Sequence, residues 1–174
     1  VRVYDLHRIP PGLYNDEAAY AMDARSVVNG VRAIFFEANS GREPLFIYLL
    51  AAMFSLIGDN AYSVRLTAAL IGALTVPATF WMVRAAARFA ATTTAGKSTP
   101  GVKFAAPWMA PWVSLLLALS YWHLSLSRLG FRAITLPLIL TIAVAFLFRA
   151  LRRLGIEESL PWSDLLLAGF FAGL

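Results

Sequence analysis

Polar and apolar positions separate sharply along the chain, with a polar opening of 43 residues followed by a series of apolar stretches. In the opening segment Asp5, Asp16, Glu17, Asp23, Glu37 and Glu43 are set against Arg2, Arg8, Arg25, Arg32 and Arg42, which predicts an aqueous or interfacial loop. Pro10-Pro11-Gly12 predicts a turn. After it, Asn15 can cap a short amphipathic helix that carries Asp16 and Glu17 in its first turn and ends near Asn29-Gly30.

The lengths of the apolar stretches decide the expected topology. Leu45 to Ile57 has 13 uncharged residues, about 20 Å of helix against about 30 Å of hydrocarbon. It is predicted to lie in the interface or re-enter, started by Pro44 and stopped at Gly58. Leu66 to Val83, 18 uncharged residues, is long enough to span, with Asp59 or Asn60 as caps and Pro77 as an expected kink. Within it Ala69 with Ala73, and Ala68 with Gly72, offer small faces for close helix contact. Phe104 to Ser127 is predicted as the second span, its regular helix placed after Pro107 and Pro111. Ala133 to Phe148 is the third, and Leu165 to Leu174 begins a fourth.

Charge orients these spans. The connection from Arg84 to Ala106 holds Arg84, Arg88, Lys97 and Lys103 without an acid, and the next opens with Arg149, Arg152 and Arg153, so both are expected on the cytoplasmic side. The acid-rich opening loop and the Ser127 to Arg132 turn then share the other side. A full crossing by Leu45 to Ile57 would move the opening loop to the cytoplasm, so the charge pattern favours a segment that does not cross. Arg128 and Arg132 are exceptions to the charge rule, and an exception calls for a local reason.

Composition agrees with a membrane protein. Of 174 residues 59% are hydrophobic and 14% charged, with a mean hydropathy of +0.66, too apolar to cover a soluble surface. The formal charge of +5 is spread among apolar stretches and forms no basic tract with interleaved aromatics, so no nucleic-acid partner is expected. The absence of cysteine excludes a disulfide framework, thiolate metal sites and a cysteine nucleophile. A start on Val1 without a signal-like run, and an end at Leu174 inside an apolar segment, predict a piece of a longer chain. Thr92 to Gly101 reads as a polar linker, because Gly96-Lys97-Ser98 lacks the earlier glycine and the strand of a phosphate-binding loop.

Three groups of residues can carry chemistry. Asp16 and Glu17 stand side by side on a helix, about 100° apart, so they cannot act as a dyad on one atom; one can face a site and the other the scaffold. Asp23 shares the face of Asp16, with Tyr20 between them. A general base, a metal ligand and a solvated face all fit that pattern. A divalent cation finds no compact ligand spacing, with His7 and His123 isolated. Arg128 and Arg132, four residues apart at the non-cytoplasmic mouth of two spans, suit either headgroup contact or a phosphate-binding pair. Glu43, before Pro44, is a further carboxylate on that side, although a helix start accounts for it. Trp108, Trp112, Tyr121 and Trp122 read as interface anchors or packing, and His123 as a hydrogen-bonded residue at a span end.

The ordered runs Ile9 to Tyr20 (IPPGLYNDEAAY), Gly41 to Leu50 (GREPLFIYLL), Ala61 to Gly72 (AYSVRLTAALIG) and Ser127 to Pro137 (SRLGFRAITLP) resemble the N-terminal part of bacterial and archaeal dolichyl-phosphate-mannose protein mannosyltransferase-like proteins. These are membrane glycosyltransferases of the GT-C class. The resemblance implies an all-α polytopic membrane bundle in the cell membrane. Residues 1–60 would form an external loop with a catalytic Asp-Glu motif and two membrane-parallel helices, and residues 61–174 the transmembrane helices, truncated at both ends. It also implies an inverting transfer of a sugar from a polyprenyl-phosphate donor to a hydroxyl of a protein, lipid or glycan on the non-cytoplasmic side. Asp16 and Glu17 match the motif, with Asp16 as the base; Arg128 and Arg132 would hold the donor phosphate, Glu43 would support the acceptor side, and Arg65 matches a recurrent arginine of structural type. No cofactor is certain: a divalent cation is compatible with such a reaction but has no support in the sequence. A multi-span transporter or lipid flippase is the main alternative, and a non-catalytic membrane subunit, with Asp16-Glu17 as a mere cap, is another.

Overall fold

Pro44 stands in the first turn of a helix and Gly58 directly after its end, and the residues between them are helical throughout. The computed structural model describes residues 2–37, 41–94, 108–155 and 160–174. In chain order the helices are α1 (Asn15–Val28), α2 (Pro44–Ile57), α3 (Ala61–Thr94), α4 (Met109–Leu119), α5 (Tyr121–Arg128), α6 (Thr135–Leu154) and α7 (Trp162–Ala172), with a 3-10 turn at Arg132–Ile134 before α6. The described residues contain no β-strand, and an isolated antiparallel bridge pairs Phe36 with Arg42.

The local reasons are visible at each helix end. Tyr14 rather than Asn15 is the cap residue of α1: the Glu17 carboxylate accepts the Tyr14 backbone N–H at 2.8 Å, satisfying a donor that the first turn leaves open. Asn60 caps α3, its Oδ1 accepting the Ser63 N–H at 3.0 Å. Asp59 is occupied instead by an ion pair with Arg25. The 34 residues of α3 extend about 50 Å, and Pro77 lies inside the helix without ending it.

One expected span departs from the pattern. The uncharged run to Ser127 is two helices, interrupted at Ser120, whose φ of −59° and ψ of 122° are extended rather than helical. An uncharged run signals burial in lipid but carries no information about a backbone break. Residues 95–107, which include Gly96, Lys97, Lys103, Phe104 and Pro107, lie outside the described residues, and with them most of the expected linker and the start of that run.

Two helical segments, Ala61–Thr92 and Arg132–Leu154, are long and apolar enough to cross a membrane, and α4 with α5 makes a third if they are counted as one broken span. α2 and α7 are shorter apolar helices. In α7 that means 11 residues, about 17 Å.

The chain divides into two compact units, one of Val1–Ala73 with Tyr121–Thr135, the other of Leu74–Ser120 with Leu136–Leu174. In the first unit α1 packs on α2, where Tyr20 meets Phe46 edge-on with ring centroids 5.6 Å apart and Ala24, Ile47 and Leu50 are buried. The Ala68 and Gly72 face of α3 is the close contact anticipated from small residues. A Cβ on Gly72 would lie 2.6 Å from that of Ser127, so only glycine lets α5 approach this near. In the second unit Trp81 meets Phe146 edge-on at 4.8 Å and Phe146 stacks on Phe171 at 6.0 Å, while Leu136, Leu140 and Leu147 stay exposed, apolar surface suited to lipid.

Candidate functional site

The helical period places Asp16, Tyr20 and Asp23 on one face of α1 and turns Glu17 about 100° away from Asp16. Glu17 is wholly buried and Asp16 half-buried. The Glu17 Oε1 accepts a hydrogen bond from Arg65 Nε at 3.2 Å, while its Oε2 takes the Tyr14 N–H. Arg65, 2% exposed, donates further to the carbonyls of Leu6, at 3.0 Å, and Gly12. A buried ion pair is tolerable only when its remaining donors and acceptors are met, and this one is met by the opening loop, so Glu17 and Arg65 lock that loop to α1 and α3. Gly130, in the turn after α5, packs over the Glu17 carboxylate. At its φ of +65° a side chain is strained, and a Cβ there would lie 3.0 Å from Glu17 Oε1 and 2.9 Å from Val64.

The open face is built differently. Arg42, buried with its guanidinium 5.3 Å over the Tyr20 ring, forms an ion pair with Asp23. Arg132 pairs with Glu43, whose side chain is 72% exposed. The Tyr20 phenol lies between these charges. Burial raises its pKa above the ordinary value of about 10, the Asp16 carboxylate raises it further, and the charge and hydrogen bond of Arg132, with the charge of Arg42, pull it partly back. Asp16, Tyr20, Arg42, Glu43 and Arg132 therefore form one partly open cluster: a half-buried carboxylate, a phenol whose oxygen accepts a hydrogen bond from Arg132, and a guanidinium whose present partner is solvated.

Arg128 and Arg132, four residues apart in sequence, have separate tasks. Arg128 donates to the carbonyls of Tyr4 at 2.9 Å and Ile9 at 3.1 Å, holding the opening loop from α5. Arg2 adds a second tie, from its Nη1 to Ser127 Oγ at 3.0 Å and the His123 carbonyl at 3.3 Å. His123 departs from its sequence reading: it is buried, and neither ring nitrogen has a hydrogen-bond partner among the described residues.

Tyr20 and Arg42 belong to this cluster although sequence reasoning assigned neither a role. The spacing of Tyr20, four after Asp16 and three before Asp23, was the available signal; Arg42 had none, since its partner lies 19 residues away. Among the described residues no three His, Asp or Glu side chains gather into a metal-holding group. The other flank of α1 borders a groove of about 290 Å³ lined by Leu13, Ala18, Met22 and Val64 among others; Asp16 does not line it. Comparison of the chain with protein-family models, curated proteins and solved structures finds no match.

Proposed function

We propose that the chain is the N-terminal part of a multi-pass membrane glycosyltransferase that moves a sugar from a polyprenyl phosphate to an acceptor hydroxyl, with inversion, at the non-cytoplasmic face. The acceptor is a protein, lipid or glycan hydroxyl. The observation that carries this reading is the meeting of half-buried Asp16 with Arg132 around the Tyr20 phenol, while neighbouring Glu17 is withdrawn into a structural ion pair.

In this reading the acceptor oxygen attacks the anomeric carbon from the side opposite the phosphate, and its proton passes to the Asp16 carboxylate. The bond between that carbon and the phosphate oxygen breaks, and the electron pair leaves with the polyprenyl phosphate. Arg132 meets the growing charge on the leaving phosphate after exchanging its exposed Glu43 partner, an exchange that costs little because a solvated ion pair is worth at most about 1 kcal/mol. Arg128, the last residue of α5, holds the opening loop in place and adds positive charge on the same side. Glu43, once released, is free to orient the acceptor. Alignment, proton removal and charge stabilisation are what this displacement needs, since the phosphate is already a good leaving group.

The test is transfer of labelled sugar from a defined polyprenyl-phosphate donor by the complete protein. Asp16→Asn is expected to lower turnover by about 10²-fold or more with the thermal unfolding midpoint unchanged. An unimpaired variant would remove Asp16 as the base. Solute uptake into vesicles without sugar transfer would identify a transporter instead.

A further inference from the structure

In the second unit the ends of α3 and α6 enclose a cavity of about 290 Å³ lined by Trp81, Ala85, Arg88, Arg149, Arg152 and Arg153. Four guanidinium groups around one cavity repel one another and are held only by something specific. For two of them the structure supplies it. Asp164, 2% exposed in the first turn of α7, lies 3.4 Å from Arg149 and 3.2 Å from Arg153. Arg149 is also pinned over Trp81 at 5.8 Å and Phe146 at 5.6 Å. Arg88 and Arg152 have no acidic partner among the described residues. One buried carboxylate thus fixes two arginines without neutralising four, and the cavity retains three formal positive charges from its described residues.

We propose that this cavity binds an anionic phosphate ester. Guanidinium groups recognise phosphate through paired N–H donors, and a planar Trp81 beside them suits the boundary where an apolar segment meets water. The position favours the headgroup of an anionic phospholipid, since both lining helices become apolar immediately beyond the arginines; a free phosphate shares the same chemistry. Asp164 acts as a positioning residue, holding Arg149 and Arg153 with their remaining donors available to the cavity.

The experiment measures ligand-induced shifts in the thermal unfolding midpoint of the full chain in neutral detergent. Three additions are compared: phosphatidylglycerol, phosphatidylcholine and inorganic phosphate. Phosphatidylglycerol is expected to raise the midpoint saturably and phosphatidylcholine not to, with the response of R88Q/R152Q requiring at least tenfold more lipid. Arg84→Gln, which removes a charge from α3 that does not line the cavity, is the control and is expected to respond as the wild type does. A response to inorganic phosphate alone, lost in R88Q/R152Q, keeps the phosphate site and assigns it to a soluble ester. Equal responses to the two lipids without a phosphate response, or an unchanged response in R88Q/R152Q, overturn the proposal.

Discussion

Arg65 and Glu17 meet 3.2 Å apart with both side chains buried, from positions 48 residues apart in the chain. Removing one partner leaves the other charged and unsolvated. Arg65→Met or Glu17→Leu is therefore expected to destabilise the protein by about 3–5 kcal/mol, measured by denaturant unfolding in detergent. The double variant is expected to cost clearly less than the sum of the two. Additive losses would show that the pair is not coupled as the geometry has it.

Gly130→Ala tests the lid on that pair. Its Cβ meets Val64 and Glu17 at 3.0 Å or less, and its φ is +65°, so strain and overlap combine to about 2–3 kcal/mol. Gly30 has a comparable left-handed φ of +102° but nothing within 4 Å of a Cβ. Gly30→Ala is expected to cost only the strain, about 1 kcal/mol. Similar losses for both would mean that the Gly130 contact is not close.

These relationships differ in how far the sequence reveals them. Pro44, Gly58 and Asn60 mark the ends of α2 and the start of α3 because capping chemistry is local, decided within a few residues. The divergence of Asp16 from Glu17 follows from the helical period alone. Nothing local announces that Glu17 meets Arg65, that Arg42 meets Asp23, or that Arg132 reaches Glu43 across 89 positions: each partner is one among several charges, and only the folded chain selects it. The break at Ser120 is hidden for a different reason. Ser is compatible with helix and bend alike, and the surrounding uncharged residues report burial rather than backbone angle.

Glu43→Gln tests the proposed exchange at Arg132. It removes an exposed competitor for the guanidinium, so stability is expected to change by less than about 1 kcal/mol. The KM for the polyprenyl-phosphate donor is expected to fall severalfold while the unfolding midpoint holds. A rise in donor KM would show that Glu43 helps the donor to bind rather than competing with it.

Tyr20 gives a pH signature. Its folded pKa lies above the ordinary value of about 10, so its contribution to stability is fully present below about pH 10 and is lost as pH rises through the higher folded value. The stability of the wild type is expected to fall more steeply than that of Tyr20→Phe in that alkaline window, while the two run parallel between pH 7 and 9. Parallel curves throughout would place the phenol in ordinary solvent.

The first unit is assembled from two pieces of chain, Val1–Ala73 and Tyr121–Thr135, and this fixes an order of events during biosynthesis. Glu17 and Arg65 emerge early and can pair while the ribosome is still translating. Arg128 is made 124 residues after Tyr4, whose carbonyl it holds, and Arg132 follows it. A nascent chain halted before Tyr121 has a closed Glu17–Arg65 lock but an Asp16 face without its arginine and a buried pair without Gly130 over it. The completed charge cluster is thus a late product of translation, and truncation between Ile57 and Arg132 removes its Arg132 while leaving its supporting helices α1 and α2 intact in sequence.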